Sequence, residues 1–172
     1  MRTTTLVVTF LVCLCAGFAA RAQAPKLPAV VAADLKGIAA ECTGAGGKAL
    51  TADAVKRADL NGDGKEDYVL DVGSINCDGA AGIYGDREKS VMVYVGDGAG
   101  GAKNAFSDWT YGAKIEGTGP AARLWLTVSG EKCGKKPAAD VASEHVCDRS
   151  ITWNAKTQKF DYAPVSTARM IQ

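Results

Sequence analysis

The chain is poor in proline, histidine and aromatic residues, and it has no excess of either charge. Its 172 residues include 5 Pro and 1 His, and aromatic residues make up 7%. Hydrophobic residues make up 47% and charged residues 23%, which is the composition of one globular domain and excludes a disordered tail, a collagen or a coiled coil. The formal net charge of +1 lacks the basic excess that attracts proteins to nucleic acids. We therefore expect one domain and no nucleic-acid partner.

The usual signals of catalysis are scarce as well. The sequence has no G-x-S-x-G motif, and His145 is the one histidine that could serve as a general base. Gly96–Gly101 matches G-x-G-x-x-G, but the residues after it do not open a helix, so a dinucleotide site is disfavoured. Paired carboxylates of the kind that cleave glycosides stay open as an alternative. We therefore predict a non-catalytic protein, with a small hydrolase as the least favoured alternative.

The first residues have the pattern of an export signal. A positive start is followed by the uncharged apolar run Leu6–Ala20 and by two A-x-A motifs, which end at Ala22 and Ala24. Cleavage after Ala22 is preferred, because cleavage after Ala24 would leave Pro25 as the first mature residue. The apolar run is short for a membrane span, which needs roughly 20 residues. We predict a periplasmic or secreted protein without a membrane span.

The cysteine count agrees with export. With 1–22 as the signal peptide and 23–172 as the single mature domain, four cysteines remain: Cys42, Cys77, Cys133 and Cys147. An even number in an exported chain predicts two disulfides, for which three connectivities are possible. The pairs Cys42–Cys77 and Cys133–Cys147 are preferred because each closes a local loop. Zinc is the disfavoured alternative, since there is no C-x-x-C motif.

The hydrophobic pattern predicts one helix followed by short strands. Val31, Leu35, Ile38 and Cys42 recur at helical spacing, which predicts a helix over Leu27–Cys42. The predicted strands are Ala54–Leu60, Tyr68–Ile75, Ser90–Val95, Trp109–Ile115, Arg123–Ser129, Ser150–Trp153 and Lys159–Tyr162. The long loops between them are 78–89 and 130–144. This order indicates an α+β fold in which the N-terminal helix packs on a mostly antiparallel, blade-like sheet.

Two of the predicted strands are apolar on both faces and therefore need two covers. They are Ser90–Val95, in which valines alternate with Met92 and Tyr94, and Arg123–Ser129, in which Leu and Val alternate with Trp125. We expect the helix to cover one face and the rest of the sheet, with Ile151 and Trp153, to cover the other. Trp125 is then predicted to be buried in the core. In the alternative, Trp109, Trp125 and Trp153 form a surface on which sugars stack.

The most informative motif is the segment from residue 59 to residue 67. The candidate metal ligands are Asp59, Asn61, Asp63, Lys65 and Asp67. Four of them offer side-chain oxygens at positions 1, 3, 5 and 9 of the loop, and the lysine would offer its backbone carbonyl. Calcium takes 6–8 oxygen ligands, and Gly64 permits the sharp turn that wraps them around one point. An EF-hand would carry Glu where this chain has Leu70, so the motif predicts a strand–loop–strand calcium site. An Asx-rich turn without metal is the alternative.

The motif also points to a known family. The sequence ADLNGDGKEDYVLDV resembles the calcium loop of FG-GAP or VCBS repeats, which form the blades of integrin-type β-propellers, and SVMVYVGDGAGGAKNAF is similar to the strand and glycine turn that follow in such a blade. The resemblance covers about residues 57–106 and implies that Asp59, Asn61, Asp63 and Asp67 are side-chain ligands. A propeller needs at least about 4 blades, and the chain has one copy of the motif. We therefore expect a single blade-like sheet, to which the adhesion roles of the propellers do not transfer.

Together these features predict an exported, calcium-stabilised, non-catalytic binding or structural module. The leading alternative is a carbohydrate or cell-envelope binding module. The partner is then an unidentified protein or glycan, and we expect a monomer. The motif leaves open whether calcium serves the fold alone or also controls binding.

Overall fold

The computed structural model describes residues 26–171, so the predicted signal peptide lies outside the described residues. Within this range one α-helix, α1 (Ala29–Gly44), precedes eleven strands. The strands are β1 (Lys48–Leu50), β2 (Val55–Ala58), β3 (Asp67–Asp71), β4 (Asn76–Asp78), β5 (Lys89–Gly96), β6 (Ala102–Thr110), β7 (Gly112–Glu116), β8 (Arg123–Ser129), β9 (Val146–Asn154), β10 (Lys159–Tyr162) and β11 (Arg169–Met170). None of the helices between residues 26 and 171 is long and apolar enough to cross a membrane.

The helix forms where the apolar spacing predicts it, and its bounds differ from the prediction by two residues at each end. Pro28 stands directly before the first helical residue, where the missing N–H of proline costs no hydrogen bond. Val31 and Cys42 are fully buried, and Leu35 and Ile38 pack against the core cluster that contains Val31. The predicted apolar face is therefore the face that packs.

The strands form antiparallel sheets, which confirms the predicted α+β class. The first sheet has the order β2-β3-β5-β6, and the second has the order β10-β9-β8-β7 with β11 paired to β9. A small third sheet pairs β1 with β4. The strands thus divide between two main sheets, where the sequence predicted one. The chain passes from the first to the second at Tyr111, between the end of β6 and the start of β7.

The first sheet is covered on both faces, as the sequence predicted. On one face Leu70 and Tyr94 pack against Val31 of α1 in one core cluster. On the other face Val69 and Val93 join a second cluster with the inner side chains of β8, β9 and β10. Neighbouring residues of a strand point to opposite faces, so an uninterrupted apolar run needs a cover on each side. Here the covers are the helix and the second sheet.

Two tyrosine hydroxyls, one from β5 and one from the loop between β4 and β5, bond to the helix. The hydroxyl of Tyr94 donates a hydrogen bond of 2.5 Å to Asp34 Oδ2 on α1, and that of Tyr84 donates one of 2.9 Å to the carbonyl of Ile38. Tyr94 is fully buried, and burial together with the neighbouring Asp34 carboxylate raises the pKa of its hydroxyl above the usual value. The hydroxyl therefore stays protonated and keeps donating to the helix.

The prediction that Trp125 is buried in the core is wrong. In β8, Leu124, Leu126 and Val128 are buried, whereas Trp125 lies on the opposite face and is partly exposed. The second sheet packs against the first through one face only, so its other face is open to solvent. There the guanidinium of Arg169 lies over the Trp125 ring, 3.4 Å from the ring centroid. The Trp125 ring is therefore covered by a cation–π contact and not by core side chains.

Both predicted disulfides are present. Cys42–Cys77 joins the last turn of α1 to β4, and Cys133–Cys147 joins the turn after β8 to β9. Gly47 passes directly over the first bridge, since a Cβ there would lie 2.6 Å from the sulfur of Cys77. The first bridge joins the helix to a strand and the second joins a turn to a strand, each within one half of the molecule.

The strand bounds differ from the prediction at several places. The predicted strand Trp109–Ile115 is in fact the end of β6 and most of β7, separated at Tyr111. The predicted strand Tyr68–Ile75 ends at Asp71, where a short 3₁₀ turn begins. The strands β1, β4 and β11 and the first part of β6 were not predicted. The two long loops are present, between β4 and β5 and between β8 and β9.

Candidate metal site

The candidate site is the loop that joins β2 to β3, residues 59–66, together with the first residue of β3. Gly62 and Gly64 adopt φ of 78° and 79°, a left-handed conformation that side chains with a Cβ rarely adopt. A Cβ at either position would meet nothing within 4 Å, so the backbone conformation and not space requires glycine. Two left-handed residues within a few positions fold the loop back on itself and bring its N–H groups inward.

Asp59 is the centre of this loop. Its Oδ1 accepts hydrogen bonds from the N–H groups of Gly62 at 2.7 Å and Asp63 at 3.1 Å, and its Oδ2 accepts one from Gly64 at 2.9 Å. Three backbone donors on one carboxylate stabilise its charge and fix the curvature of the chain around it. The first predicted ligand thus holds the loop in a closed conformation.

Asn61 and Asp63 lie on the same exposed loop and are linked to it in the same manner. Asn61 Oδ1 accepts the N–H of Asp63 at 3.0 Å, and Asp63 Oδ1 accepts the N–H of Lys65 at 2.9 Å. The second oxygen of Asp63 lies 3.6 Å from the Lys65 ammonium. The hydrogen bond from the Lys65 N–H is the main reason that the pKa of the Asp63 carboxyl is lowered, so this side chain is charged near neutral pH.

Asp67 lies beneath the loop and is fully buried. Its Oδ2 accepts the N–H groups of Leu60 at 2.9 Å and Asn61 at 3.2 Å, and its Oδ1 accepts that of Gly96 at 3.1 Å. Burial raises the pKa of this carboxyl, against the three hydrogen bonds, which lower it. Asp67 therefore anchors the loop to the end of β5 as well as closing it.

Asp97 is a residue that the sequence motif did not single out. It begins the turn after β5, where its Oδ1 accepts the N–H groups of Ala99 at 2.7 Å and Gly101 at 2.9 Å. These bonds lower the pKa of the Asp97 carboxyl. The aliphatic part of Lys65 packs over Gly98 in the same turn, at 3.0 Å from where a Cβ would stand. The candidate loop and the glycine turn thus form one continuous surface, and the D-G-A-G-G pattern was the signal in the sequence.

The donor set fits calcium in its chemistry. All side-chain donors are carboxylate or amide oxygens, and each such oxygen has two lone pairs, so one that accepts a single N–H keeps capacity for a cation. Asp59 Oδ2, Asn61 Oδ1 and Asp63 Oδ1 each accept one such N–H, and Asp63 Oδ2 lies 3.6 Å from the Lys65 ammonium. Among residues 26–171, however, no three acidic, histidine or cysteine side chains are close enough to form a metal-binding group. The loop would therefore depend on amide and backbone carbonyl oxygens as well as on its carboxylates.

The comparisons with known proteins add nothing to this geometry. No family model matches. Curated proteins and solved structures give no match either. The likeness to FG-GAP and VCBS repeats therefore depends on the motif alone.

The other candidate residues lie apart from this loop. His145 is exposed just before β9, where it lines an open polar cavity with Arg87 and Glu144. Trp109 is 57% exposed on β6, and Trp125 is covered by Arg169 on the second sheet. Trp153 lines a cavity together with residues of the candidate metal loop, whereas Trp109 lines a separate cavity with Ile38 and Tyr84. The structure therefore does not combine the tryptophans into one stacking surface.

Proposed function

We propose that the loop 59–67 binds Ca²⁺ and that the chain is an exported, non-catalytic binding or structural module that the ion stabilises. The observation that supports this most is the curled loop, in which Asp59 accepts three backbone N–H groups while Asn61 and Asp63 keep oxygens with spare acceptor capacity. In such a loop the carboxylates repel one another, and a divalent cation would neutralise that repulsion. The residues that would hold it are Asp59, Asn61, Asp63 and the carbonyl of Lys65, with Asp67 supporting them from below.

Export is supported by the two disulfides. Bridges between cysteines persist in oxidising compartments such as the periplasm and the extracellular space. Extracellular modules also meet calcium at millimolar concentration and bind it with dissociation constants of about 10⁻⁴–10⁻³ M. A loop of this modest charge suits that range, because tighter sites usually carry more carboxylates around the ion.

Thermal unfolding with and without calcium tests the proposal. At a concentration about 100 times the dissociation constant, a ligand that binds only the native state adds about 2.7 kcal/mol to the free energy of unfolding. For a domain of this size that corresponds to a rise in Tm of roughly 5–10 °C. We expect this rise for the wild-type protein, and we expect Asp63→Ala to remove it by deleting a ligand charge. Asp53→Ala, which removes an exposed carboxylate outside the loop, should keep it.

Two outcomes of the thermal unfolding experiment would contradict the proposal. If metal-free wild-type protein melts at the same temperature in calcium and in chelator, the loop is an Asx-rich turn without metal. A calcium response that survives Asp63→Ala would place the ion elsewhere in the chain.

A carbohydrate-binding module is the second candidate function. One observation favours it, namely a cavity in which Trp153 and polar side chains stand beside the candidate calcium loop. An enzyme of the hydrolase class is less favoured, because the single histidine lies exposed outside this cavity.

A further inference from the structure

A cavity adjoins the candidate calcium loop. It has a volume of about 530 Å³, within the range of small-molecule sites. Three segments form its walls: the loop with Asn61 and Asp63, the turn and strand with Asp97 and Lys103, and the hairpin of β9 and β10 with Trp153 and Gln158. The cavity therefore lies where one end of the first sheet meets the hairpin of the second.

A second cavity lies beside the first. It has a volume of about 240 Å³ and contains Pro120, Arg123 and Thr152. Asn61 and Trp153 line both cavities, so the two meet at these side chains. We call these two adjoining cavities the groove. Two cavities on either side of shared residues suit a linear ligand of several repeating units.

The groove offers one aromatic ring among many hydrogen-bonding groups. The Trp153 ring is partly exposed and is supported by Phe160, with ring centroids 5.0 Å apart. Amide side chains at Asn61 and Gln158 can both donate and accept hydrogen bonds. The lining of the larger cavity contains two acidic and two basic side chains, so its net charge is zero. They are Asp63, Asp97, Lys65 and Lys103. An aromatic face among paired donors and acceptors, without a net charge, fits the alternating C–H and O–H groups of a sugar ring.

We propose that this groove binds a chain of sugar units, with one unit against Trp153 and the next in the smaller cavity. The inference rests on the proposed function as a binding module and names the ligand class of that module. Calcium would act on this site through the loop, because Asn61 and Asp63 line the groove and also belong to the candidate metal site.

Titration with defined oligosaccharides tests the proposal. The probes are hexamers of β-1,4-linked glucose, α-1,4-linked glucose and β-1,4-linked N-acetylglucosamine. Their binding is measured by calorimetry and by tryptophan fluorescence in the presence of calcium. We expect at least one hexamer to bind at millimolar concentration or below. Trp153→Ala should weaken that binding by about tenfold or more, because it removes the stacking surface. Trp109→Ala removes an exposed tryptophan outside the groove and should leave the affinity unchanged.

A second variant protects the test from a failure to fold. Gln158 has φ of 52°, a conformation that glycine adopts without strain. Gln158→Gly should therefore keep or slightly raise the Tm while it weakens hexamer binding by about three- to tenfold through the lost amide. Opposite effects on stability and on binding distinguish a ligand contact from a structural role.

Three outcomes would overturn the proposal. They are the absence of binding to every hexamer at millimolar concentration, an affinity that neither Trp153→Ala nor Gln158→Gly changes, and selective binding of extended peptides in place of sugars. The calcium proposal is tested separately by its Tm response. A protein whose Tm rises with calcium but that binds no hexamer contradicts the groove and supports the metal site.

Discussion

Asp108 on β6 connects the two sheets through its carboxylate. Its Oδ2 accepts hydrogen bonds of 2.7 Å from the Lys132 ammonium and from the Tyr162 hydroxyl. Burial raises the pKa of this carboxyl, but the hydrogen bonds from Lys132, Tyr162 and the Trp109 N–H prevail and hold the pKa below its usual value. A carboxyl whose pKa is lowered on folding stabilises the native state above the pKa of the unfolded chain, about 3.9, and loses that effect as the pH falls through the folded value.

Asp108→Asn should therefore destabilise the protein in a pH-dependent manner. Near pH 7 we expect the free energy of unfolding to fall by about 1.5–3 kcal/mol, the range for hydrogen bonds to a charged group. As the pH falls below about 3.9, the Asp108 carboxyl of the unfolded chain takes up a proton first and that of the folded protein follows at a lower pH, so the stabilities of the two proteins should converge over that range. Urea unfolding at a series of pH values measures this difference. Asp86→Asn, at an exposed position, is the control, and a difference that stays constant down to low pH would refute the argument.

Residues of the candidate metal loop could be predicted from the sequence because their geometry is local. Asp59 and Asp63 contact N–H groups within a few positions of themselves, so their spacing alone indicates a curled loop. Asp108 bonds to groups 24 and 54 positions away, and Asp67 bonds to an N–H 29 positions away. Such contacts depend on the tertiary fold, and no local pattern marks them.

At the scale of elements, a glycine in the middle of α1 and one just after the helix differ in what surrounds them. Gly37 lies on the exposed side of the helix, where a Cβ would meet nothing within 4 Å. Gly47 follows the helix, where a Cβ would lie within 2.9 Å of both sulfurs of the Cys42–Cys77 bridge. Neither residue has a positive φ, so the backbone permits alanine at both positions.

We expect alanine to have opposite effects at these positions. Gly37→Ala should raise the free energy of unfolding by about 1 kcal/mol, because alanine has the higher helix propensity. Gly47→Ala should lower it by about 1–3 kcal/mol, because the methyl group would overlap the disulfide. Chemical denaturation of both variants makes the comparison. Equal effects of the two substitutions would mean that the contact over the disulfide is not restrictive.

The strands were predicted most accurately where apolar and polar residues alternate regularly between turn residues. Strands β8 and β10 have the predicted bounds, because each is a clear run with turn residues on both sides. β6 was missed over most of its length because it is an edge strand rich in polar residues and pairs with β5 through an irregular register at Val93–Tyr94. The short strands β1 and β4 lie beside the Cys42–Cys77 bridge, and nothing in their composition marks them as strands.

For the whole molecule, the two-sided cover of the first sheet followed from its apolar runs, whereas the environment of Trp125 did not. The sequence shows that a strand is apolar on both faces but not how many layers the fold contains. The fold has three layers, namely the helix, the first sheet and the second sheet, and the last has only one covered face. An outer tryptophan on that sheet therefore finds Arg169 and not a core.

The two disulfides should contribute unequally to the stability of the whole molecule. Cys42–Cys77 closes a separation of 35 residues and Cys133–Cys147 one of 14. In the chain-entropy description these loops correspond to about 4 and about 3 kcal/mol. We expect the double variant Cys42→Ala/Cys77→Ala to lose more stability in urea unfolding than Cys133→Ala/Cys147→Ala. The reverse order would show that native packing around the bridges, and not loop length, decides their contribution.

The single passage of the chain between the sheets has a consequence for the covalent architecture. Every strand of the first sheet precedes Tyr111 and every strand of the second follows it, and each disulfide closes within one of these halves. Within residues 26–171, the backbone at Tyr111 is thus the only covalent connection between the two halves. A cut there would give two cross-linked fragments, each a complete sheet, whose reassembly would depend on the shared core and the Asp108 contacts. The two halves thus relate to each other as two subunits would, except that one peptide connection joins them.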